Sequence, residues 1–341
     1  MEKPEHTLPT DKDLMAGFDS KKPRLTHRKK RKSNAIKGYS AYDIHITKDK
    51  KVQKLWDPFL QKVGLASVVG SSDTGKSSFL RQLALSIALD KDEFLGYKLG
   101  PKHNRVIYVS TEDDMISTKV ANKMQLSELM TDDTKLEKLK KLVFIFETEN
   151  LIKKLKTILS EKKVDLIIID AFADVFIKEI NSSTQVRSFL MQYHSLAIKN
   201  NCLVIFLHHN NKRSENTSPS KNNIVGSQGF EAKMRSIIEI RKAPNDQRHM
   251  VLLKCNFLPS KFKKIKYILE FDEETLLFKN TKQELALNSN SKTSNPDIIK
   301  KVLELSKDGS SSRAIESKLK GTSFQIGKTG IANIIKKNKH K

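Results

Sequence analysis

Two glycines, a lysine and a hydroxyl residue stand at fixed intervals in Gly70-Ser71-Ser72-Asp73-Thr74-Gly75-Lys76-Ser77. An apolar run at 65–69 precedes them, and Phe79, Leu80, Leu83, Ala84 and Ile87 recur at helical spacing afterwards. Glycines let a backbone turn tightly and aim successive N–H groups at an anion, and a helix starting near Gly75 adds the positive end of its dipole. The chemistry of such a loop is to cradle a phosphate chain. Residues Gly70 to Ser78 form the cradle, the Lys76 ammonium reaches the terminal phosphates and the Ser77 hydroxyl ligates Mg²⁺. A ligand-free glycine turn has the same composition, but it requires neither the buried strand before the loop nor the amphipathic helix after it.

Hydrolysis needs more than a cradle: a metal-shell carboxylate and a base that orients water. Asp170 follows four consecutive aliphatic residues in "VDLIIIDAFAD" and sits where a buried strand ends, in position to hold the metal shell with Ser77. Ala171 comes next, so no base stands beside it. Another apolar run ends in "VIYVSTEDD", which offers Glu112, Asp113 and Asp114. If that strand neighbours the phosphate-loop strand, Glu112 projects over the C-terminal edge of the sheet and polarises the attacking water. The plainer alternative is an acidic helix start, with Asp113 and Asp114 as caps. A third strand end carries "CLVIFLHHNNKR", whose histidines and asparagines suit a polar sensor of the γ-phosphate. Zinc is a poor fit, because adjacent histidines point in different directions and no third ligand lies nearby in sequence.

These groups need a frame, and the hydropathy pattern supplies one. Apolar runs at 65–69, 105–109, 142–146, 164–169 and 202–207 alternate with helical stretches, including 150–162 and 184–200. Continuous aliphatic strands between amphipathic helices define an α/β domain with a mostly parallel sheet covered on both faces. The runs at 236–241, 250–255, 264–271 and 275–278 have short connections and read as an antiparallel extension of that sheet. The expected layout is a disordered basic arm over 1–51, an α/β domain over 52–281 and a linker over 282–294. A small all-α domain over 295–341 completes it. In that last domain three short helices end in a basic one, the pattern of a helix-turn-helix, with Lys328, Thr329, Asn333 and Lys336 as candidate DNA contacts. A small packing or oligomerisation bundle is the alternative.

With 341 residues and 38% hydrophobic content the chain can bury a sizeable core, and its net charge is +24. Both ends are strongly basic, which draws a polyanion by counterion release and makes nucleic acid the natural partner. No run approaches the length of a membrane span and the N-terminus lacks a signal-peptide pattern, so a cytoplasmic protein without membrane contact is expected. Cys202 and Cys255 lie in strand-like segments and read as packing residues in a reducing compartment.

The order of motifs resembles the RecA-like ATPase superfamily: phosphate loop, "STEDD" after a strand, Asp at a central strand end, then His and a polar loop. More narrowly it is similar to the RepA-like hexameric replicative helicases of plasmids and mobile elements, over about residues 55–280. The resemblance implies ATP and Mg²⁺ as cofactors, a homo-oligomeric ring and single-stranded DNA in its channel; duplex DNA at the C-terminal helices is the expectation of the helix-turn-helix pattern alone. It makes Lys76 and Ser77 the phosphate and metal residues, Glu112 the catalytic base, Asp170 the metal-shell carboxylate and His209 the histidine before the DNA-facing loop. That loop offers Lys212, Arg213 and Lys221. Arg235 falls where the family carries the arginine finger that reaches a neighbouring subunit's nucleotide, and Lys254 resembles a second basic residue sent across the same interface. The family's usual Arg-Gly-Ser stretch reads Val225-Gly226-Ser227 here, so its arginine is missing. Two other functions fit the same residues: a nucleotide-switched DNA-binding regulator or loader, and a non-enzymatic DNA-binding protein with a degenerate site.

Overall fold

The computed structural model describes residues 38–47, 51–130, 133–211, 214, 217–226, 228–244, 246–287, 296–322 and 324–338. The chain divides into a unit over Met1–Lys50 and one over Lys51–Lys341. The described part of the first carries one short helix, α1 (Ala41–His45), closed by a capping box between Ser40 and Asp43. It falls within the stretch expected to be a structureless arm.

The second unit opens with a hairpin, β1 (Lys54–Trp56) and β2 (Leu60–Gln61), before β3 (Gly64–Gly70) and α2 (Lys76–Ala88). A small ribbon, β4 (Glu93–Phe94) and β5 (Tyr97–Lys98), leads to β6 (Val106–Ser110) and α3 (Met115–Leu129). Then follow β7 (Leu142–Ile145), α4 (Leu151–Glu161), β8 (Leu166–Asp170), α5 (Phe172–Val175), α6 (Ser183–Asn200) and β9 (Leu203–His209). After α7 (Gln228–Lys233) come β10 (Ser236–Lys242), β11 (Gln247–Cys255), β12 (Ile265–Asp272) and β13 (Leu277–Ala286). Three helices close the chain: α8 (Pro296–Lys307), α9 (Ser312–Leu319) and α10 (Lys328–Asn338).

Nine strands form one sheet in the order β13-β12-β11-β10-β3-β9-β8-β6-β7. From β10 to β7 all neighbours are parallel, whereas β11, β12 and β13 are antiparallel additions. Every residue of β3, β6 and β8 is buried, which explains their unbroken aliphatic sequences: helices cover both faces, so neither face needs polar side chains. One core layer packs α2 through Phe79, Leu80 and Leu83 against the sheet, and the other packs Leu155 of α4 and Leu190 of α6. Trp56, Phe59, Phe79, Phe94, Tyr97, Tyr267 and Phe278 make a chain of edge-to-face and tilted contacts that clamps the antiparallel strands to α2.

β13 continues to Ala286, so the first part of the segment read as linker from 282 is strand. Residues 288–295 lie outside the described residues. Helices α8 to α10 share a separate core of Ile298, Val302, Ile315, Leu319, Ile326, Ile331 and Ile334. Gly309, at φ +77°, ends the first of them, and Ser311 caps the second by accepting the Ala314 N–H.

Candidate nucleotide site

The phosphate loop is built by steric constraint at both of its glycines. A Cβ at Gly70 would lie 2.3 Å from the Ile240 carbonyl oxygen, so β10 approaches β3 too closely for any side chain there. Gly75 holds φ +84°, and a Cβ on it would stand 2.8 Å from the Phe278 ring. Between them the loop bonds to itself: the Thr74 hydroxyl donates to the Ser71 carbonyl at 3.1 Å, and Lys76 Nζ donates to the same oxygen at 2.5 Å. Burial lowers the Lys76 pKa to about 8, against the pull of Asp170, Glu112 and Asp73. Ser72 and Asp73 are exposed at the rim, while Ser77 and Ser78 are half-buried on the first turn of α2.

Asp170 ends β8 and is buried. Its Oδ2 accepts the Tyr108 hydroxyl at 2.6 Å, whereas Oδ1 has no partner among the described residues. Burial raises its pKa, with the Tyr108 and Ser77 hydrogen bonds opposing the shift. An inward carboxylate oxygen without a partner, close to a serine hydroxyl, is the donor set that Mg²⁺ takes alongside water and phosphate oxygens, so Asp170 and Ser77 fit that ion. Tyr108 did not stand out in the sequence. Its signal was a hydroxyl inside an otherwise apolar strand, a group that needs a partner once buried.

Glu112 reaches the site by a route other than the expected one. Its strand, β6, does not neighbour β3; β9 and β8 intervene. The chain leaving β6 instead crosses the end of β8: the Thr111 N–H and hydroxyl both donate to the Asp170 carbonyl, and the Ala171 N–H donates to the Thr111 hydroxyl oxygen. That crossing carries Glu112, still 60% exposed, to 4.0 Å from His209 Nε2 at the exit of β9. The next residue, Asp113, is not a cap. It pairs at 2.9 Å with Arg81 of α2, which is almost wholly buried and which sequence reasoning passed over. Asp114 does cap α3, accepting the Ser117 N–H at 2.7 Å.

The two histidines separate by the alternation of β9. His208 is buried, with Nε2 donating to the Val225 carbonyl at 2.9 Å, and burial depresses its pKa to about 4, which keeps the ring neutral. His209 faces Glu112, and its pKa is lowered chiefly by burial. Among the described residues no three His, Cys, Asp or Glu side chains gather as a metal cluster.

Arg235 stands at the end of the parallel strands opposite the phosphate loop, whereas Lys254 pairs with Ile237, level with Ser67 in the middle of β3. The Arg235 N–H donates to the Leu65 carbonyl, five strand residues before Gly70 and so about 17 Å from the loop of its own chain. Lys254 bonds to the Glu231 carbonyl at 2.9 Å and pairs with its carboxylate at 3.3 Å. The same carboxylate holds Lys221 at 3.0 Å, so two candidate contact residues share one counter-ion. Lys212, Arg213 and Ser227 lie outside the described residues. On α10, Lys328, Thr329, Asn333 and Lys336 are all exposed, while Ile331 and Ile334 face the small core.

A phosphate loop on the strand-to-helix turn of a covered parallel sheet, with an acid at a nearby strand end, defines a P-loop nucleotide-binding domain. The chain belongs to the AAA domain family, whose pattern matches residues 40–215, more than half of its length. Its fold is similar to that of a solved structure described as an ATPase domain. The TM-score is 0.53 at 11% identity, over 71% of this chain and 96% of that one. No curated protein matches the sequence. No helix among the described residues is long and apolar enough to cross a membrane.

Proposed function

We propose that this protein is an ATP-hydrolysing, DNA-binding motor: a ring-forming, RepA-like helicase that acts on single-stranded DNA in the replication or mobility of a genetic element. One observation carries the reading. Lys76, Ser77, Asp170, Glu112 and His209 gather at the C-terminal ends of the parallel strands, while Arg235 lies at their opposite ends, beyond reach of its own phosphate loop. A second copy stacked head to tail brings the two ends together.

In this mechanism the loop N–H groups and Lys76 bind the phosphates, and Glu112 polarises the attacking water. Ser77 and Asp170 would hold Mg²⁺, which when bound would supply positive charge to the phosphate oxygens. Tyr108 fixes the Asp170 carboxylate, and the Arg81–Asp113 pair fixes the chain on which Glu112 rides. Arg235 of the adjacent copy supplies further positive charge to the phosphates. A second reading, a nucleotide-switched DNA-binding regulator or loader without unwinding activity, draws on the exposed polar face of α10. The two separate in one preparation: ATPase rate with and without single-stranded DNA, and unwinding of a forked duplex. A motor gives DNA-stimulated turnover and strand separation. Turnover without separation favours the regulator, and no turnover removes both.

A further inference from the structure

Nucleotide turnover leaves the three C-terminal helices without a task, and their surface shows what they can meet. Ile298, Val302, Ile315, Leu319, Ile331 and Ile334 fill their common core. Beyond Leu285 no large apolar side chain is exposed among the described residues. A bundle made for packing or for oligomerisation keeps an apolar patch free for its partner, and these helices show none.

What they expose is polar and cationic, and it is concentrated on α10. That helix contains no Asp or Glu. Thr329, Asn333 and Lys336 are exposed at i, i+4 and i+7 and so stand on one face with Ala332 beside them, while Ile331 and Ile334 hold the opposite face in the core. The row is about 10 Å long, the length of about three base-pair steps. Two carboxylates of the neighbouring helices are occupied: Glu304 pairs with Lys301 at 3.0 Å, and Glu316 accepts the Lys328 N–H at 3.0 Å, which fixes the start of α10 on α9. The segment over 320–327 is longer than the turn of a compact helix-turn-helix, yet it is pinned. Ile326 is buried, the Gly321 N–H donates to Gln325 Oε1 at 3.1 Å, and the Thr322 hydroxyl donates to the Leu319 carbonyl at 2.8 Å.

A cationic face without carboxylates calls for a polyanion, and its side chains distinguish which one. Single strands are held by aromatic rings on which bases stack. Residues 296–338 contain one aromatic, Phe324, and it packs against the core. A membrane surface needs an apolar face. The major groove of a duplex needs instead a helix with short polar side chains: a carboxamide pairs with adenine N6 and N7, an ammonium with guanine O6 and N7, and the methyl groups of Thr and Ala meet the thymine methyl. We propose that α10 is a sequence-reading helix for duplex DNA. Asn333 is set on an adenine, Thr329 and Lys336 on the base edges beside it, and Lys328 and the exposed Arg313 of α9 on phosphates. The inference goes beyond the proposed motor: it gives the chain a second nucleic-acid site, specific in sequence, that works without nucleotide.

Selection from a randomised duplex library tests it, with the full chain, no nucleotide and about 0.15 M salt. Bound duplexes are sequenced, and affinities are then measured for the selected duplex, a scrambled duplex and each single strand. A fixed A·T pair emerges, and the selected duplex binds about 100-fold or more tightly than the scrambled one. Asn333→Ala weakens the selected duplex by about 5- to 100-fold and leaves the scrambled one within about twofold. Asn333→Arg selects a G·C pair at the same position, a gain that a misfolded domain cannot give. Arg313→Gln weakens both duplexes alike and lowers the slope of log affinity against log salt by about 1. A library without a fixed base pair overturns the inference, as does a single strand bound as tightly as the selected duplex. Vesicles rich in phosphatidylserine bound more tightly than that duplex overturn it too, and so does discrimination that survives Asn333→Ala. Each of these results leaves the ATPase reading intact, since no nucleotide is present. A chain that discriminates duplexes but never hydrolyses ATP loses the motor and keeps this site.

Discussion

Lys76 shows how much one buried cation decides. Its ammonium is held by the Ser71 carbonyl and its pKa is pushed down to about 8 by burial. A polyphosphate needs the charged form, so above that pH binding requires the lysine to recover a proton. Nucleotide affinity is expected to be flat below about pH 7.5 and to fall by about tenfold per pH unit above 8; a titration that stays flat to pH 9.5 would mean that Lys76 does not contact phosphate. Stability has the opposite sign in that window. The unfolded lysine keeps its proton above pH 8 while the folded one sheds it, so this group makes the ligand-free fold more stable as pH rises. Glu112 differs in kind, because in the proposed mechanism it acts only as water attacks. Lys76→Ala should abolish nucleotide binding, whereas Glu112→Gln should bind normally and turn over about 10²- to 10⁴-fold more slowly, read by fluorescent-nucleotide titration beside a phosphate-release assay. Equal loss of binding in both would reject Glu112 as the base.

Elements place these side chains, and their adjacency was only partly visible beforehand. Strand periodicity located β3, β6, β8 and β9 to within one or two residues, because buried parallel strands have no polar face to blur the pattern. It could not order them. The reading of Glu112 was conditional on β6 lying beside β3, whereas β9 and β8 lie between, and the chain after β6 bonds across the end of β8. The opposite flank of β3 is set by a single missing side chain. Gly70 lets the Ile240 carbonyl sit 2.3 Å from where a Cβ would be, and backbone in mid-sheet cannot move aside as a side-chain tip can. Gly70→Ala should therefore destabilise the fold by about 1–3 kcal/mol in chemical denaturation and weaken nucleotide binding with it. An alanine variant of wild-type stability would show that β10 is free to shift.

At the scale of the whole molecule, the distribution of charge between the two ends of the strands matters most. Arg235 is exposed at the start of β10, and its backbone is paired with Leu65, far from Gly70. A guanidinium in trans stabilises charge that grows in the transition state, so Arg235→Ala should bind ATP almost normally and hydrolyse it about 10³-fold more slowly. Mixed with an excess of Lys76→Ala chains, it should regain turnover, since one variant keeps the phosphate loop and the other keeps the arginine. Failure to recover any activity, with subunit exchange verified by labelled chains, would favour a monomeric or cis-acting site. The same scale separates what the residues alone determined from what folding decided. Local information sufficed for the phosphate loop, the strand-end acids, the α/β class and the three C-terminal helices, because each is written in spacings of a few residues: glycine where a turn is tight, aliphatic runs where both faces are covered, and the recurrence of Ile331 and Ile334 on one side of α10. Strand order, the position of Arg235 at the strand ends opposite the phosphate loop, the sharing of Glu231 by Lys221 and Lys254, and the buried partners Tyr108, Arg81 and Glu239 were decided by tertiary structure. Those pairings join distant residues through sheet topology, 62 positions apart for Tyr108 and Asp170 and further for β10 and β3, and a polar side chain in an apolar run carries no mark of which distant group will satisfy it.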